Sequence, residues 1–162
     1  MDEFEKYLNK TLLFLSYRPR SEKEVRENLL KKKAQLGIIE RIIKSLKEQK
    51  FLDDKDFAKW FIEQRLRFRQ KSLRIIKLEL KQKGVAKELI EDAINNLSYD
   101  NDGESINNDL ESAIKLVEKR LPRYKSLKKP QIYQKMGAFL ARRGFDWETI
   151  KKSIDGVLAD KV

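Results

Sequence analysis

One pattern of apolar residues occurs three times in this chain and limits what the chain can fold into. Each copy has apolar residues at positions −4, 0, +10, +14 and +17 relative to a central leucine, and a turn at position +4. We call this pattern the apolar ladder. Self-similarity of this kind is the signature of a repeat protein. The three copies are Val25, Leu29, Ile39, Ile43 and Leu46; Ile76, Leu80, Ile90, Ile94 and Leu97; and Met136, Leu140, Ile150, Ile154 and Val157, with Lys33, Gly84 and Gly144 at the turns.

The helical period of the apolar residues extends beyond the ladder. An amphipathic segment with apolar residues at i, i+3, i+4 and i+7 precedes each copy, and no segment alternates with the period of two that a half-buried strand requires. Ser21 and Glu24 form a capping box, and Asp146 is an N-cap with a hydrophobic staple between Phe145 and Ile150. We therefore predict an all-α protein of nine helices in three tandem three-helix repeats.

The spacing of the ladders indicates where the repeats begin and end. The second copy follows the first by 51 residues and the third follows the second by 60, and the segment SYDNDGE at 98–104 accounts for the difference as a linker. We predict repeats at residues 1–51, 52–97 and 105–162. Each repeat is too small to bury a good core alone, so neighbouring repeats are expected to share a face and form an elongated, curved array.

The residue types that are absent exclude several kinds of chemistry. The chain has neither cysteine nor histidine, which excludes disulfides, thiol catalysis, histidine-dependent nucleophiles and a conventional zinc site. It also lacks a glycine-rich phosphate loop. Asp53, Asp54 and Asp56 suit the start of a helix, where carboxylates cap free N–H groups, better than a metal site. We predict a protein that is not an enzyme and needs no metal or cofactor.

No apolar run approaches the ~20 residues of a membrane span. The first ten residues, MDEFEKYLNK, are acidic and amphipathic, unlike a basic leader followed by an apolar stretch. We expect a soluble cytoplasmic protein, monomeric and without a membrane partner.

Charge is distributed in blocks of alternating sign. Residues 65–87 carry nine basic residues and one acid, residues 88–111 carry eight acids and no base, and residues 119–152 carry eleven bases and two acids. Two separate basic blocks are typical of a protein with a polyanionic partner. On the fifth helix Arg74, Lys77 and Lys81 are spaced i, i+3 and i+7, which places them on one face opposite Ile76 and Leu80.

Aromatic residues at helical spacing lie just before the first basic block and at its start. Phe57, Trp60, Phe61 and Phe68 belong to the fourth helix, predicted over about residues 54–69. Aromatic rings beside arginines are able to stack on nucleic-acid bases. Their helical spacing favours the simpler interpretation that they are core residues.

Several local motifs resemble the RecX family of recombination regulators. The resemblance covers essentially the whole chain. The matching segments are LSYRPRSEKEV at 15–25 followed by Leu29; FLDD at 51–54 followed by Phe57, Ala58, Phe61 and Arg65; and the turns KGV at 83–85 and RGF at 143–145. The sequence departs from the family pattern at Arg69-Gln70-Lys71, which is usually richer in glycine, and at Lys33, where a glycine is missing.

This resemblance implies a function that the residues alone do not reveal. It implies tandem three-helix repeats that bind the RecA–DNA filament along its helical groove and restrain its ATPase, strand-exchange and coprotease activities, with some weaker binding to single- or double-stranded DNA. We expect the contacts with the filament or DNA to come from the basic residues Arg18, Arg20, Arg65, Arg67, Arg69, Lys71, Arg74, Lys77, Lys81, Arg123, Lys125, Lys128, Lys129, Arg142 and Arg143.

Two alternatives do not involve RecA. A stand-alone nucleic-acid-binding protein would bind DNA by itself, with a strong dependence on salt. A helical-repeat adaptor would bind some other acidic protein.

Overall fold

The computed structural model describes residues 1–97 and 108–160, and over these residues the protein has nine α-helices and no strand. The predicted all-α fold of three three-helix repeats is thereby confirmed. The predicted linker at 98–104 lies outside the described residues. The helices are α1 (Glu3–Tyr17), α2 (Glu22–Lys31), α3 (Leu36–Glu48), α4 (Asp54–Gln64), α5 (Leu73–Gln82), α6 (Lys87–Leu97), α7 (Asn108–Arg120), α8 (Lys129–Arg142) and α9 (Trp147–Ala159).

The apolar ladder forms the core of the repeats. All of its members are buried except Ile94 and Leu97, which lie in the last turn of α6 and are partly exposed. In the first repeat the ladder of α2 and α3 packs with one side of α1, including Phe4, Leu8 and Leu15. In the third repeat it packs with α7. Burial of side chains such as these contributes about 1.5–3 kcal/mol each.

The turns within the three ladders have the same backbone geometry. Lys33, Gly84 and Gly144 have φ of 63°, 81° and 91°. In every copy the next amide donates to the carbonyl oxygen of the central leucine, with N–O distances of 3.1, 3.1 and 3.3 Å. This pairing is the Schellman motif, whose left-handed residue is usually glycine. Lys33 therefore adopts a conformation that a side chain disfavours.

The chain groups into two compact units. The first consists of Met1–Phe61 and Glu79–Asn95, and the second of Ile62–Leu78 and Asn96–Val162. All three boundaries in the second repeat fall inside helices, within α4, α5 and α6. Each unit thus combines one outer repeat with a part of the second repeat.

The fourth helix ends differently from the prediction. The α-helix stops at Gln64, and Arg65–Arg69 forms a π-helical turn. The amide of Gln70 donates to the carbonyl oxygen of Arg65 at 2.7 Å, and Gln70 has φ of 44°. The wider turn changes the direction in which side chains project, because a π-helix completes a turn with i→i+5 bonds. π-Helical turns occur frequently at functional sites.

Candidate binding site

The start of α2 forms a joint with the turn of the second repeat, within the first compact unit. Ser21 Oγ donates to the carbonyl oxygen of Lys83 at 2.7 Å, and Lys23 Nζ donates to that of Gln82 at 3.0 Å. A Cβ on Gly84 would lie 2.7 Å from Lys23 Cβ, so the approach requires glycine. We call this set of contacts the repeat joint.

The start of α5 forms an equivalent repeat joint with the turn of the third repeat, within the second compact unit. The amide of Ser72, the counterpart of Ser21, donates to the carbonyl oxygen of Arg143 at 3.2 Å. Arg74, the counterpart of Lys23, makes a long bond of 3.4 Å to the carbonyl oxygen of Gly144. A Cβ on Gly144 would overlap Ile75. Arg74 therefore has a structural contact as well as an exposed side chain.

An aspartate completes each repeat joint. Asp54 Oδ1 accepts from the amide of Glu22 at 2.8 Å, and Asp109 Oδ1 accepts from the amide of Leu73 at 2.8 Å. These amides belong to the first turns of α2 and α5, which have no partner within their own helix. Burial raises the pKa of both aspartates, although the backbone hydrogen bonds oppose the rise. The cap of α4 is instead Asp53, which accepts from the amide of Lys55 at 2.9 Å.

Glu24 is the centre of an ionic cluster in the first joint. Arg18 donates to both of its carboxylate oxygens, at 2.7 and 3.2 Å, Lys83 donates at 2.8 Å, and the amide of Ser21 at 2.9 Å. Burial would raise the pKa of Glu24, but the hydrogen bonds from Arg18, Lys83 and Ser21 outweigh it and hold the pKa at about 2. The capping box of Ser21 and Glu24 is confirmed, and one predicted contact residue, Arg18, serves the fold.

The remaining predicted contact residues differ in exposure. The guanidinium of Arg20 packs 3.9 Å from the ring centroid of Phe14 and donates to its carbonyl oxygen. Arg65, Lys71 and Arg143 are half-buried. The side chain of Arg69 lies outside the described parts of the structure. The exposed members of the predicted set are Arg67, Arg74, Lys77, Lys81, Arg123, Lys125, Lys128, Lys129 and Arg142.

A cleft in the second compact unit brings together two of the predicted residues with two others. Its volume is about 160 Å³, and we call it the basic cleft. Arg123 and Arg143 were predicted from the sequence, but Lys119 and Arg120 were not. Lys119 and Arg120 also belong to the second basic block, and a prediction that took every basic residue of that block would have included them. The cleft is lined by Leu116, Lys119, Arg120, Arg123, Phe139 and Arg143.

The aromatic residues of the second repeat divide into two groups. Phe57 and Phe61 are buried, with ring centroids 5.8 Å apart, which confirms that they are core residues. The same prediction is wrong for Phe68, which is 69% exposed. Phe68 lies in the π-helical turn, so the helical spacing on which the prediction depended is interrupted before it. The guanidinium of Arg67 lies 5.7 Å from its ring centroid.

The described parts of the chain contain neither a carboxylate cluster that could hold a metal ion nor a membrane-spanning helix. Residues 1–97 and 108–160 contain no group of three carboxylates arranged to hold a metal ion. None of the helices in these ranges is both long and apolar enough to cross a membrane.

Comparison with known proteins accounts for all three repeats. Family models for the first, second and third three-helix domains of RecX match residues 8–46, 53–94 and 107–154. The regulatory protein RecX of Clostridium tetani is 32% identical over 162 residues, covering 97% of this chain and 69% of that protein. The chain belongs to the RecX family of regulatory proteins.

Other RecX proteins support the fold and show a difference in length. The crystal structure of RecX from Lactobacillus salivarius superposes with a TM-score of 0.74 at 27% identity, covering 98% of this chain and 97% of that one. The regulatory protein RecX of Bacillus subtilis is 31% identical over 156 residues, which cover 96% of this chain but 56% of that protein. This chain thus spans just over half the length of the Bacillus relative.

Proposed function

We propose that this protein binds the RecA–DNA filament and inhibits its ATPase, strand-exchange and coprotease activities, acting as a monomer in the cytoplasm. The observation that carries the proposal is that three RecX domains in tandem present basic side chains which the repeat joints do not use. Binding by charged surfaces needs no catalytic group. A basic surface on a helical repeat suits a phosphate backbone or an acidic protein groove.

The exposed face of α5 carries two kinds of basic residue, one that makes a contact within the fold and two that remain available to bind a partner. Arg74 reaches the turn of the third repeat, as Lys23 reaches the turn of the second. Lys77 and Lys81 lie one helical turn apart on α5, and both are exposed. Within the described residues neither forms an ion pair. We therefore assign Lys77 and Lys81 to partner contact before Arg74.

The test is ATP hydrolysis by RecA on single-stranded DNA in the presence of this protein. We expect inhibition by the wild type. The double substitution Lys77→Glu and Lys81→Glu is expected to raise the half-inhibitory concentration about tenfold, which corresponds to about 1.4 kcal/mol, because reversing charges at an interface replaces attraction with repulsion.

A control variant with the same change in net charge tests whether the position of the reversed charges on α5 is what matters. Lys44 and Lys59 are exposed on α3 and α4, outside both basic blocks, and reversing both changes the net charge by the same amount. We expect this control to inhibit as the wild type does. No inhibition by saturating wild-type protein would reject the RecA proposal, and equal weakening in the two double variants would remove α5 from the contact surface.

A second candidate function is direct binding of single-stranded nucleic acid, favoured by the exposure of Phe68. An exposed ring beside the basic side chain of Arg67 has the two features of a stacking platform, a π-face and a cation near the backbone. Stacking of one base on an aromatic side chain contributes about 1–3 kcal/mol.

A comparison of two exposed phenylalanines tests this second function. Phe68→Leu is expected to weaken binding of single-stranded DNA about tenfold. Phe51→Leu serves as the control, because Phe51 is 58% exposed but lies outside the basic block. Abasic DNA keeps the phosphates and lacks the bases, so wild type and Phe68→Leu should bind it equally. An equal loss for Phe68→Leu on abasic DNA would exclude stacking.

A further inference from the structure

The basic cleft concentrates positive charge in a small volume of the third repeat. Lys119 and Arg120 come from the end of α7, Arg123 from the 3-10 turn that follows, and Arg143 from the end of α8. Leu116 and Phe139 are its apolar walls. All six residues belong to the same compact unit.

None of the described residues that line the cleft carries a carboxylate. In the described ranges of the chain, Lys119, Arg120 and Arg123 form no ion pair with an acidic residue. Like charges held close together repel one another, and the repulsion is stronger where protein replaces part of the water. Such an arrangement is stabilised by an anion that binds among the side chains.

Arg120 is held in place before any ligand binds. Its guanidinium lies 3.9 Å from the ring centroid of Phe139, and its Nε donates to Tyr124 Oη at 3.1 Å. The guanidinium of Arg143 lies 5.1 Å from the same centroid. Stacking and a hydrogen bond restrict the orientation of a guanidinium, so less side-chain entropy is lost when it binds an oxyanion.

Charge and volume together select the anion. A phosphomonoester carries about −1.5 to −2 charges at neutral pH and three acceptor oxygens, whereas a carboxylate or an internal phosphodiester carries one charge. Arginine is the residue that binds phosphate with paired hydrogen bonds. The cleft, at about 160 Å³, is smaller than the ~300–1,000 Å³ of sites that enclose whole small molecules. It therefore fits one group at the end of a larger ligand.

We propose that the basic cleft binds a terminal phosphate group, namely the 5′-phosphate of a nucleic-acid strand. The phosphate would contact the guanidinium groups of Arg120 and Arg123, while Leu116 and Phe139 face the carbon atoms of the first sugar. The cleft would give the protein a preference for strand ends. This preference is independent of filament binding, and its test contains no RecA.

The experiment measures fluorescence anisotropy of a short oligothymidylate labelled at its 3′ end, with either a phosphate or a hydroxyl at its 5′ end. We expect the wild type to bind the phosphorylated strand about tenfold more tightly, because the terminal phosphate adds negative charge and acceptor oxygens that the arginines can bind. Equal affinities for the two strands would overturn the proposal.

Two variants connect the preference to the cleft. Arg123→Gln removes a charge from an exposed side chain and is expected to reduce the preference to about threefold or less. Lys44→Gln removes the same charge from an exposed position on α3, outside both basic blocks, and should keep the preference at about tenfold. Thermal denaturation of each variant checks its folding. A preference that persists in Arg123→Gln and also in Arg120→Gln would place the phosphate elsewhere and reject the cleft.

Free ligands identify the source of the phosphate. Inorganic phosphate and thymidine 5′-monophosphate are added as competitors, with chloride at equal ionic strength as the reference. A strand end as the source predicts that neither competitor removes the preference at low millimolar concentration. Removal by inorganic phosphate at that concentration would overturn the assignment to strand ends and identify free phosphate as the ligand.

Discussion

The ionic cluster around Glu24 is expected to make a measurable contribution to stability through its charge. We consider the substitution Glu24→Gln, which keeps the size of the side chain and removes the charge. Glu24 has 14% of its side chain exposed, and it accepts from Arg18, Lys83 and the amide of Ser21. The amide of glutamine offers one acceptor oxygen where the carboxylate offers two, so part of the cluster is lost.

The magnitude follows from the lowered pKa. The fall from 4.5 to about 2 corresponds to about 3 kcal/mol of additional stabilisation for the ionised form in the folded state. Solvent screens part of this stabilisation, because the side chains of Arg18 and Lys83 are 32% and 29% exposed. We therefore expect Glu24→Gln to lower the free energy of unfolding at pH 7 by about 2 kcal/mol.

The pH dependence gives the prediction a definite sign. Because the folded state depresses the pKa of Glu24, its contribution is fully present above about pH 4.5 and is lost as the pH falls towards 2. The assay is urea denaturation of the wild type and Glu24→Gln at pH 7 and at pH 3. The difference in free energy of unfolding should shrink by more than half at pH 3. An unchanged difference would show that packing, and not charge, is what the substitution disturbs.

Two further predictions concern the turns and the second repeat joint. Lys33→Gly is expected to raise the free energy of unfolding by about 0.5–1 kcal/mol in urea denaturation, since Lys33 has φ of 63° where the other ladders have glycine. A loss of stability would mean that the Lys33 side chain stabilises the fold by more than its backbone strain costs. Asp109→Asn keeps the oxygen that accepts from Leu73 and removes a charge that burial disfavours. Because the raised pKa of Asp109 makes stability fall as the pH rises, this variant should be more stable than the wild type at pH 7 and similar to it at pH 3, and destabilisation at pH 7 would show that the ionised form is required.

Local sequence signals predicted the helices and most of their ends. The capping box of Ser21 and Glu24 and the N-cap at Asp146 are both present. These features depend on residues within three or four positions of each other, which a single sequence displays directly. The end of α4 was missed, because the π-helical turn at Arg65–Arg69 has no comparable local signature. Phe68 was assigned to the core for the same reason.

The sequence could not show which basic residues make structural contacts and which remain available to bind a partner. Lys83 and Arg18 have the same charge as Lys77, but the first two meet at Glu24, and Lys77 does not. Lys83 and Glu24 are 59 residues apart, so no periodic pattern in the sequence indicates that they are in contact. The predicted set of contact residues remains a prediction, and the repeat joints indicate which members the fold already uses.

The sequence by itself determined the number of helices, their grouping into three repeats and the membership of the RecX family, because the apolar ladder and the turn motifs are local and recur. The tertiary structure decided what the polar residues do. It assigned Asp54 and Asp109 to the first turns of distant helices, and it brought Arg120 to one cleft with Phe139 and Arg143. Burial and charge balance act through space between separate segments, and the folded chain alone sets those distances.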